Sequence, residues 1–379
     1  MAQAITNLPF FGKLLREWYQ GNKRNLPWRH TSDPYLIWLS EVILQQTRVA
    51  QGLPYYEKLV AAFPTVHHLA AASEEEVLRL WQGLGYYSRA RHMHATARLI
   101  VQRYNGKFPI SYKELLQLKG IGPYTAAAIA SFAYNEPIAV VDGNVYRVLA
   151  RIFGITDDIS STKGKKIFAQ YAQQLLEQSV SVVAPSLYNQ AIMEFGAIQC
   201  TPLAPACSCC IFSHCCYAYL HQQQQQLPVK EKKLKTKQRH WIYLIIEHQG
   251  YVLVKMRQSG DIWQGLYDFP LVEERSLSLS HSLLGQIYSE VQPMLSLTGL
   301  AKGVKLPSLP VEVCNISDVY KHPLTHQVLQ VRFVHLVVLC KELWQELQGI
   351  SALKVVSWKE LDQLPKPILV VNYLRKAFF

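Results

Sequence analysis

The sequence predicts a multidomain protein, with an all-α domain carrying a four-cysteine module followed by an α+β domain. Three observations predict it. Residues 8–220 repeat helix-start signals ahead of apolar periodicity, residues 221–239 turn abruptly to glutamine and lysine, and β-rich runs follow. A chain of 379 residues with 49% hydrophobic content can bury two cores.

In the first domain, Asp33-Pro34 offers an N-cap with proline at the first helical position. Ser73 with Glu76, and Ser111 with Glu114, have capping-box spacing, and Gly83 is placed to close the helix begun at Ser73. The helical domain is read as 1–220, with the cysteine module at 200–216. The five glutamines Gln222–Gln226 and the cations Lys230, Lys232, Lys233, Lys235, Lys237 and Arg239 make 221–239 a linker, because such a segment buries no core. In the second domain, 240–379, Trp241–Glu247 and Tyr251–Arg257 are expected strands joined at Gly250. His326–Leu339 is another β-rich run, and Trp358–Leu364 is helical.

The formal charge of +12 favours a polyanionic partner. No apolar run approaches the roughly 18 residues needed to span a bilayer, and no secretory signal opens the chain, so a soluble cytoplasmic protein with no membrane partner is expected. Of the eight cysteines, six fall between Cys200 and Cys216, which in an intracellular chain argues for metal ligation over disulfides. Cys314 and Cys340 are isolated and are expected to be small buried hydrophobes.

Chemistry concentrates in two segments. Leu118-Lys-Gly-Ile-Gly-Pro-Tyr-Thr-Ala126 reads as a helix end, a glycine turn and a new helix near Pro123. Gly120 and Gly122 let the backbone turn sharply and present N–H groups to a phosphate. Taken alone, the segment is better described as an ordinary helix connection. Val140-Val-Asp-Gly-Asn-Val-Tyr-Arg147 puts Asp142 where another helix starts. Asp142 serves there as an N-cap, or as a carboxylate that backbone N–H groups keep ionised to stabilise positive charge on a sugar. Cys200, Cys207, Cys210 and Cys216 have the spacing C-x6-C-x2-C-x5-C, which suits zinc or iron–sulfur alike; Cys209 and Cys215 fall outside it.

The paired segments Leu-x-Gly-Ile-Gly and Val-Asp-Gly-Asn-Val-x-Arg-Val together resemble the helix-hairpin-helix DNA glycosylase superfamily, to which endonuclease III also belongs. The resemblance implies that Cys200, Cys207, Cys210 and Cys216 hold a structural [4Fe-4S] cluster near the DNA. Members that also cut the backbone carry a lysine directly before the threonine of the hairpin, where this chain has Tyr124. A phenol forms no Schiff base, which implies base removal without strand cleavage. Lys119 lies before the hairpin and is no match.

Leu26-Pro-Trp-Arg29, Asp33-Pro-Tyr, Trp38-Leu-Ser-Glu-Val-Ile-Leu-Gln-Gln-Thr47 and Gly83-Leu-Gly-Tyr-Tyr-Ser-Arg89 are similar to the MutY-type adenine DNA glycosylases. The similarity implies a monomeric enzyme acting on duplex DNA containing A:8-oxoguanine or A:G. It makes Glu41 the acid that protonates adenine, in an apolar setting of Trp38, Val42 and Leu44 that raises its pKa. Asp142 then stabilises the oxocarbenium ion, with Tyr124 near the sugar and Asn144 orienting the centre. Trp28, Arg29 and Gln190 line the adenine pocket, and Gln46 and Tyr86 fill or wedge the duplex once adenine is flipped out.

In the second domain, Gly260-Asp-Ile-Trp-Gln-Gly-Leu-Tyr-Asp-Phe-Pro270 resembles Nudix-like folds. The stretch from Glu273 through Glu290 lacks the glutamate-rich arrangement that binds magnesium, so the fold is expected without pyrophosphatase activity. Leu324-Thr-His326 stands where this domain usually has Phe-Ser-His, the loop that inspects 8-oxoguanine. Thr325 and His326 are its expected readers, and Leu324 lacks the ring. Two other classes remain: a nucleotide pyrophosphatase, which the missing glutamates disfavour, and a noncatalytic iron–sulfur DNA-binding protein.

Overall fold

A computed structural model describes residues 10–231, 236–274 and 310–378 of the chain. Nearly all of Glu273–Glu290 lies outside the described residues, as do Lys232, Lys233 and Lys235 of the cationic run. No described helix is long and apolar enough to cross a membrane.

The first half is helical: α1 (Phe11–Asn22), a 3-10 turn (Pro27–Arg29), α2 (Pro34–Leu44), α3 (Val49–Ala62), α4 (Val66–Ala71), α5 (Glu74–Trp81), α6 (Tyr87–Tyr104), α7 (Tyr112–Leu115), α8 (Pro123–Tyr134), α9 (Gly143–Phe153), α10 (Thr162–Ser179), α11 (Pro185–Glu194), a π turn (Phe195–Gln199) and α12 (Tyr217–Leu220). The starts follow the side chains expected of them. Asp33 caps α2 through the Tyr35 N–H at 2.8 Å, and Ser73 and Ser111 both close capping boxes. Gly83 takes φ +99 just beyond α5, the left-handed turn a C-terminal glycine supplies.

The chain forms two compact units, Met1–Ala71 with His92–Lys232, and Ala72–Arg91 with Lys233–Phe379. In the first, Phe11, Leu15 and Trp18 of α1 pack with Val148 and Leu149 of α9, Phe168 and Leu175 of α10, and Tyr188 and Ile192 of α11. Phe212, Ala218 and Leu227 join that core and seat the cysteine module on it.

The second unit is a mixed sheet of β1 (Lys237–His248), β2 (Tyr251–Met256), β3 (Tyr267–Asp268), β4 (Leu271–Glu274), β5 (Val311–Ile316), β6 (Tyr320–Pro323), β7 (Gln327–Val338) and β8 (Lys354–Ser357), with α13 (Lys341–Gln348), α14 (Trp358–Gln363) and α15 (Ile368–Ala377). The central order is β3-β2-β1-β7-β5, with β1 and β7 parallel and the other pairs antiparallel. Gln249 (φ +49) and Gly250 (φ +83) make the turn between β1 and β2, where two positive φ values match the strand twist. Successive β1 residues feed opposite cores. Trp241, Tyr243 and Ile245 pack with Leu369, Val370 and Tyr373 of α15, whereas Ile242, Leu244 and Ile246 pack with Leu343, Trp344 and Leu347 of α13.

Three sequence expectations change. Ala72–Arg91, read as part of the helical domain, groups with the sheet: Lys366 N–H donates to Gln82 Oε1 at 2.8 Å, and a Cβ on Gly265 would meet Leu78 at 2.9 Å. The linker is shorter than 221–239, because Leu227 is buried and Lys237, Gln238 and Arg239 already belong to β1, paired to β7. Cys314 is exposed at a bulge in β5, and half-buried Cys340 accepts the Leu343 N–H as the N-cap of α13, so neither is a buried hydrophobe.

Candidate active site

Helices α2, α8 and α9 bring the predicted acid, phenol and aspartate together. Glu41 is on the core-facing side of α2, only 6% exposed, with Trp38 and Val42 buried beside it and Leu44 half-buried. The Tyr124 hydroxyl, in the first turn of α8, donates to Glu41 Oε2 at 2.5 Å. Burial drives the Glu41 carboxyl up to about 7; the Tyr124 hydrogen bond and the Arg29 charge oppose the rise, and the Asp142 charge adds to it. The Tyr124 hydroxyl is raised by burial and by the charges of both Glu41 and Asp142.

Asp142 caps α9, accepting the Val145 N–H at 2.8 Å and the Asn144 side-chain amide at 2.7 Å. From the sequence, those bonds are expected to keep it ionised. Burial is the larger influence and raises the carboxyl above its ordinary value, with the Val145 and Asn144 hydrogen bonds and the Arg147 charge pulling down. Arg147, to which the sequence assigns no role, braces this cap. It donates to Asn144 Oδ1 at 2.8 Å, to the Gly196 carbonyl at 2.7 Å and to the Cys200 carbonyl at 2.8 Å. Only glycine fits at 196, since a Cβ there would lie 2.6 Å from that of Asn144.

A pocket of about 520 Å³ is lined by Tyr19, Arg24, Arg29 and Gln190, among others. Gln190 is pinned between the Tyr19 hydroxyl at 3.1 Å and Ser186 Oγ at 3.1 Å. Arg24 and Arg29 both grip Glu194, at 2.6 and 2.5 Å. Burial pushes Glu194 up, but the hydrogen bonds from the two arginines outweigh it and hold the carboxylate at about 2. Glu41 and Trp28 lie outside the lining; Trp28 packs edge-on against Tyr56, 5.1 Å between centroids. Arg29, in the pocket wall, also acts through its charge on Glu41. Glu194 and Arg24 went unassigned in the sequence, although Glu194 stands one helical turn beyond Gln190.

The glycine hairpin forms as expected. Gly120 has φ +93, and a Cβ there would meet Thr96 Oγ1 at 3.0 Å and His92 Cβ at 3.2 Å, whereas Gly122 caps α8 with open space before it. Gln46 (φ +56) and Tyr86 (φ +49) are both exposed and both left-handed, a strained state for side chains of this size. Within the second unit, the Tyr86 hydroxyl is hydrogen-bonded to Thr325 Oγ1. His326 enters through its backbone, its carbonyl accepting the Lys237 N–H at 3.1 Å, and Leu324 packs against the sheet core.

Cys200, Cys207, Cys210 and Cys216 line one pocket, from whose walls Cys209 and Cys215 are absent. Burial raises the thiols of Cys207, Cys210 (to about 12) and Cys216, so bound cations would be needed to keep them as thiolates. Arg151, itself buried, donates to Cys200 Sγ at 3.5 Å. Among the described residues, no three His, Cys, Asp or Glu side chains are grouped to hold a single metal ion.

Comparison with known proteins agrees with this architecture. The HhH-GPD superfamily of base excision DNA repair proteins matches residues 39–178, and the NUDIX domain family matches 241–376. The adenine DNA glycosylase of Buchnera aphidicola subsp. Baizongia pistaciae (strain Bp) is 31% identical over 340 residues, covering 88% of each chain. That of Homo sapiens is 44% identical over 227 residues, 58% of this chain and 41% of the human one. A thermostable thymine-DNA glycosylase superposes with a TM-score of 0.49 at 28% identity, covering 56% of this chain and 95% of that one. With matches to both domain families and a relative aligned along most of its length, the chain belongs to the adenine DNA glycosylase family.

Proposed function

We propose that the protein is a monofunctional DNA N-glycosylase of base excision repair, hydrolysing the glycosidic bond of adenine mispaired with 8-oxoguanine or guanine. The observation that carries the reading is Glu41, a buried carboxyl with a pKa of about 7, hydrogen-bonded to Tyr124 and electrostatically coupled to Asp142. A carboxyl in that state still holds a proton near neutrality and can deliver it to a purine nitrogen. Asp142, oriented by Asn144 and Arg147, faces the positive charge that develops on the sugar as the base departs, and water completes the hydrolysis. Tyr124 supplies no amine, so no Schiff base forms and the strand stays intact.

The pocket with Arg29 and Gln190 is the receptor for the extruded base, Gly120 and Gly122 seat the phosphate backbone, and Gln46 and Tyr86 enter the duplex. Thr325 and His326 belong to the loop that reads the opposite base. The four cysteines fit a [4Fe-4S] cluster: all are soft donors at one pocket, and a four-iron cube spreads its thiolates more widely than one tetrahedral ion does. When bound, the cluster would supply a rigid covalent tie for the loop after α11. The chain is expected to act as a cytoplasmic monomer.

The test is one excision assay on duplexes containing A:8-oxoguanine, A:G and a damaged pyrimidine. Abasic product from the first two, with strand breaks only after alkali, is expected. Strand cleavage with a borohydride-trapped adduct would overturn the reading of Tyr124.

A further inference from the structure

The glutamine run Gln222–Gln226 has no place in the excision chemistry, yet it is folded against the cysteine module. Its near end is fixed where the Gln223 N–H donates to the Ala218 carbonyl at 2.7 Å. At its far end Leu227 is buried, and its carbonyl accepts from Arg151 Nε at 3.1 Å. Between these anchors, Gln225 Nε2 donates to the Leu203 carbonyl at 2.6 Å, and half-buried Gln224 lines the four-cysteine pocket together with Cys207. Arg151 also donates to the carbonyls of Thr201 (2.7 Å) and Pro202 (2.9 Å), so one guanidinium holds both the run and the loop between Cys200 and Cys207. Gln222 and Gln226 face solvent.

We infer that the glutamine run is a strap over the cluster pocket, in which Gln224 is the amide donor to the Cys207 sulfur and Gln225 ties the strap to the Cys200–Cys207 loop. The inference rests on the iron–sulfur reading of that pocket. An amide N–H directed at a thiolate sulfur stabilises its negative charge, and hydrogen bonds to the sulfurs are among the factors that set a cluster's potential. The added electron of the reduced state gains more from such a bond, so the donor raises the potential. The Gln225 tie governs a different property, the access of water and oxidants to the pocket.

The experiment uses the full-length protein, with iron and acid-labile sulfide assayed first. Gln224→Leu, similar in volume but without a donor, is expected to bind the same iron at a lower reduction potential. Gln224→Glu, which replaces the donor by an anion, should lower it further and provides a second, polar variant should the leucine form misfold. Gln225→Ala should keep a potential close to the parent's while its visible absorbance bleaches several-fold faster in peroxide. Gln222→Ala and Gln226→Ala should match the parent in both measurements. Iron-loaded Gln224 variants with the parent's potential, or Gln225→Ala bleaching at the parent's rate, would overturn the strap alone. A parent protein without iron and sulfide would overturn the cluster reading and the strap with it.

Discussion

Glu41 is stable in the core only while it carries a proton. Its pKa rises on folding from an ordinary 4.5 to about 7, so the folded state favours the neutral acid. The penalty is absent well below the unfolded pKa, grows as pH climbs between the two values, and is complete above the folded one. It amounts to about 3 kcal/mol at roughly 1.4 kcal/mol per tenfold change. Glu41→Gln is therefore expected to melt at a higher temperature than the parent at pH 8, while single-turnover excision falls at least about a hundredfold. A normal excision rate would remove Glu41 from the chemistry. In the parent, the excision rate should decline as pH rises through about 7, as the acid loses its proton. Asp142 is oriented through a relay on its own helix: Arg147→Ala frees Asn144, and a loss of about 1–3 kcal/mol in the chemical step with near-normal DNA binding is the expected signature of a positioning residue. Glu41 was recognisable in the sequence from its flanking motif. The Asp142 pKa was not, because its direction depends on burial, which is contributed by residues far away in the chain.

At the scale of elements, the two hairpin glycines are predicted to behave differently. Gly120→Ala forces a side chain into φ +93 and against Thr96 and His92, so it should cost about 1–3 kcal/mol of stability. Gly122→Ala meets nothing and should fold normally, but its methyl stands where a phosphate would approach, and DNA affinity measured by anisotropy should drop several-fold. Equal melting losses in the two variants would contradict this division. Helix starts were readable because capping is local: Asp33, Ser73 and Ser111 each bond a backbone N–H within three residues. The glutamine run misled for the opposite reason. Its partners, Leu203, Ala218 and Arg151, are supplied by other elements, and nothing in a homopolymer's own sequence records them.

For the molecule as a whole, a charge of +12 predicts binding that weakens steeply with salt, by at least about tenfold between roughly 50 and roughly 200 mM. Thr325→Ala should leave excision from A:G nearly unchanged while reducing the preference for 8-oxoguanine, seen as a fall in the ratio of the two rates. An unchanged ratio would detach the Leu324–His326 turn from lesion reading. The succession of a helical part and a sheet part was plain from periodicity, but the membership of Ala72–Arg91 was not, since an amphipathic helix advertises an apolar face without naming what covers it. That membership has a consequence for synthesis. The segment leaves the ribosome some 140 residues before the strands it joins, and β1 must wait for its parallel neighbour β7. The nascent chain therefore carries an unfinished surface through most of translation, and a chain truncated after Lys232 would keep it permanently, a natural target for chaperones and proteases.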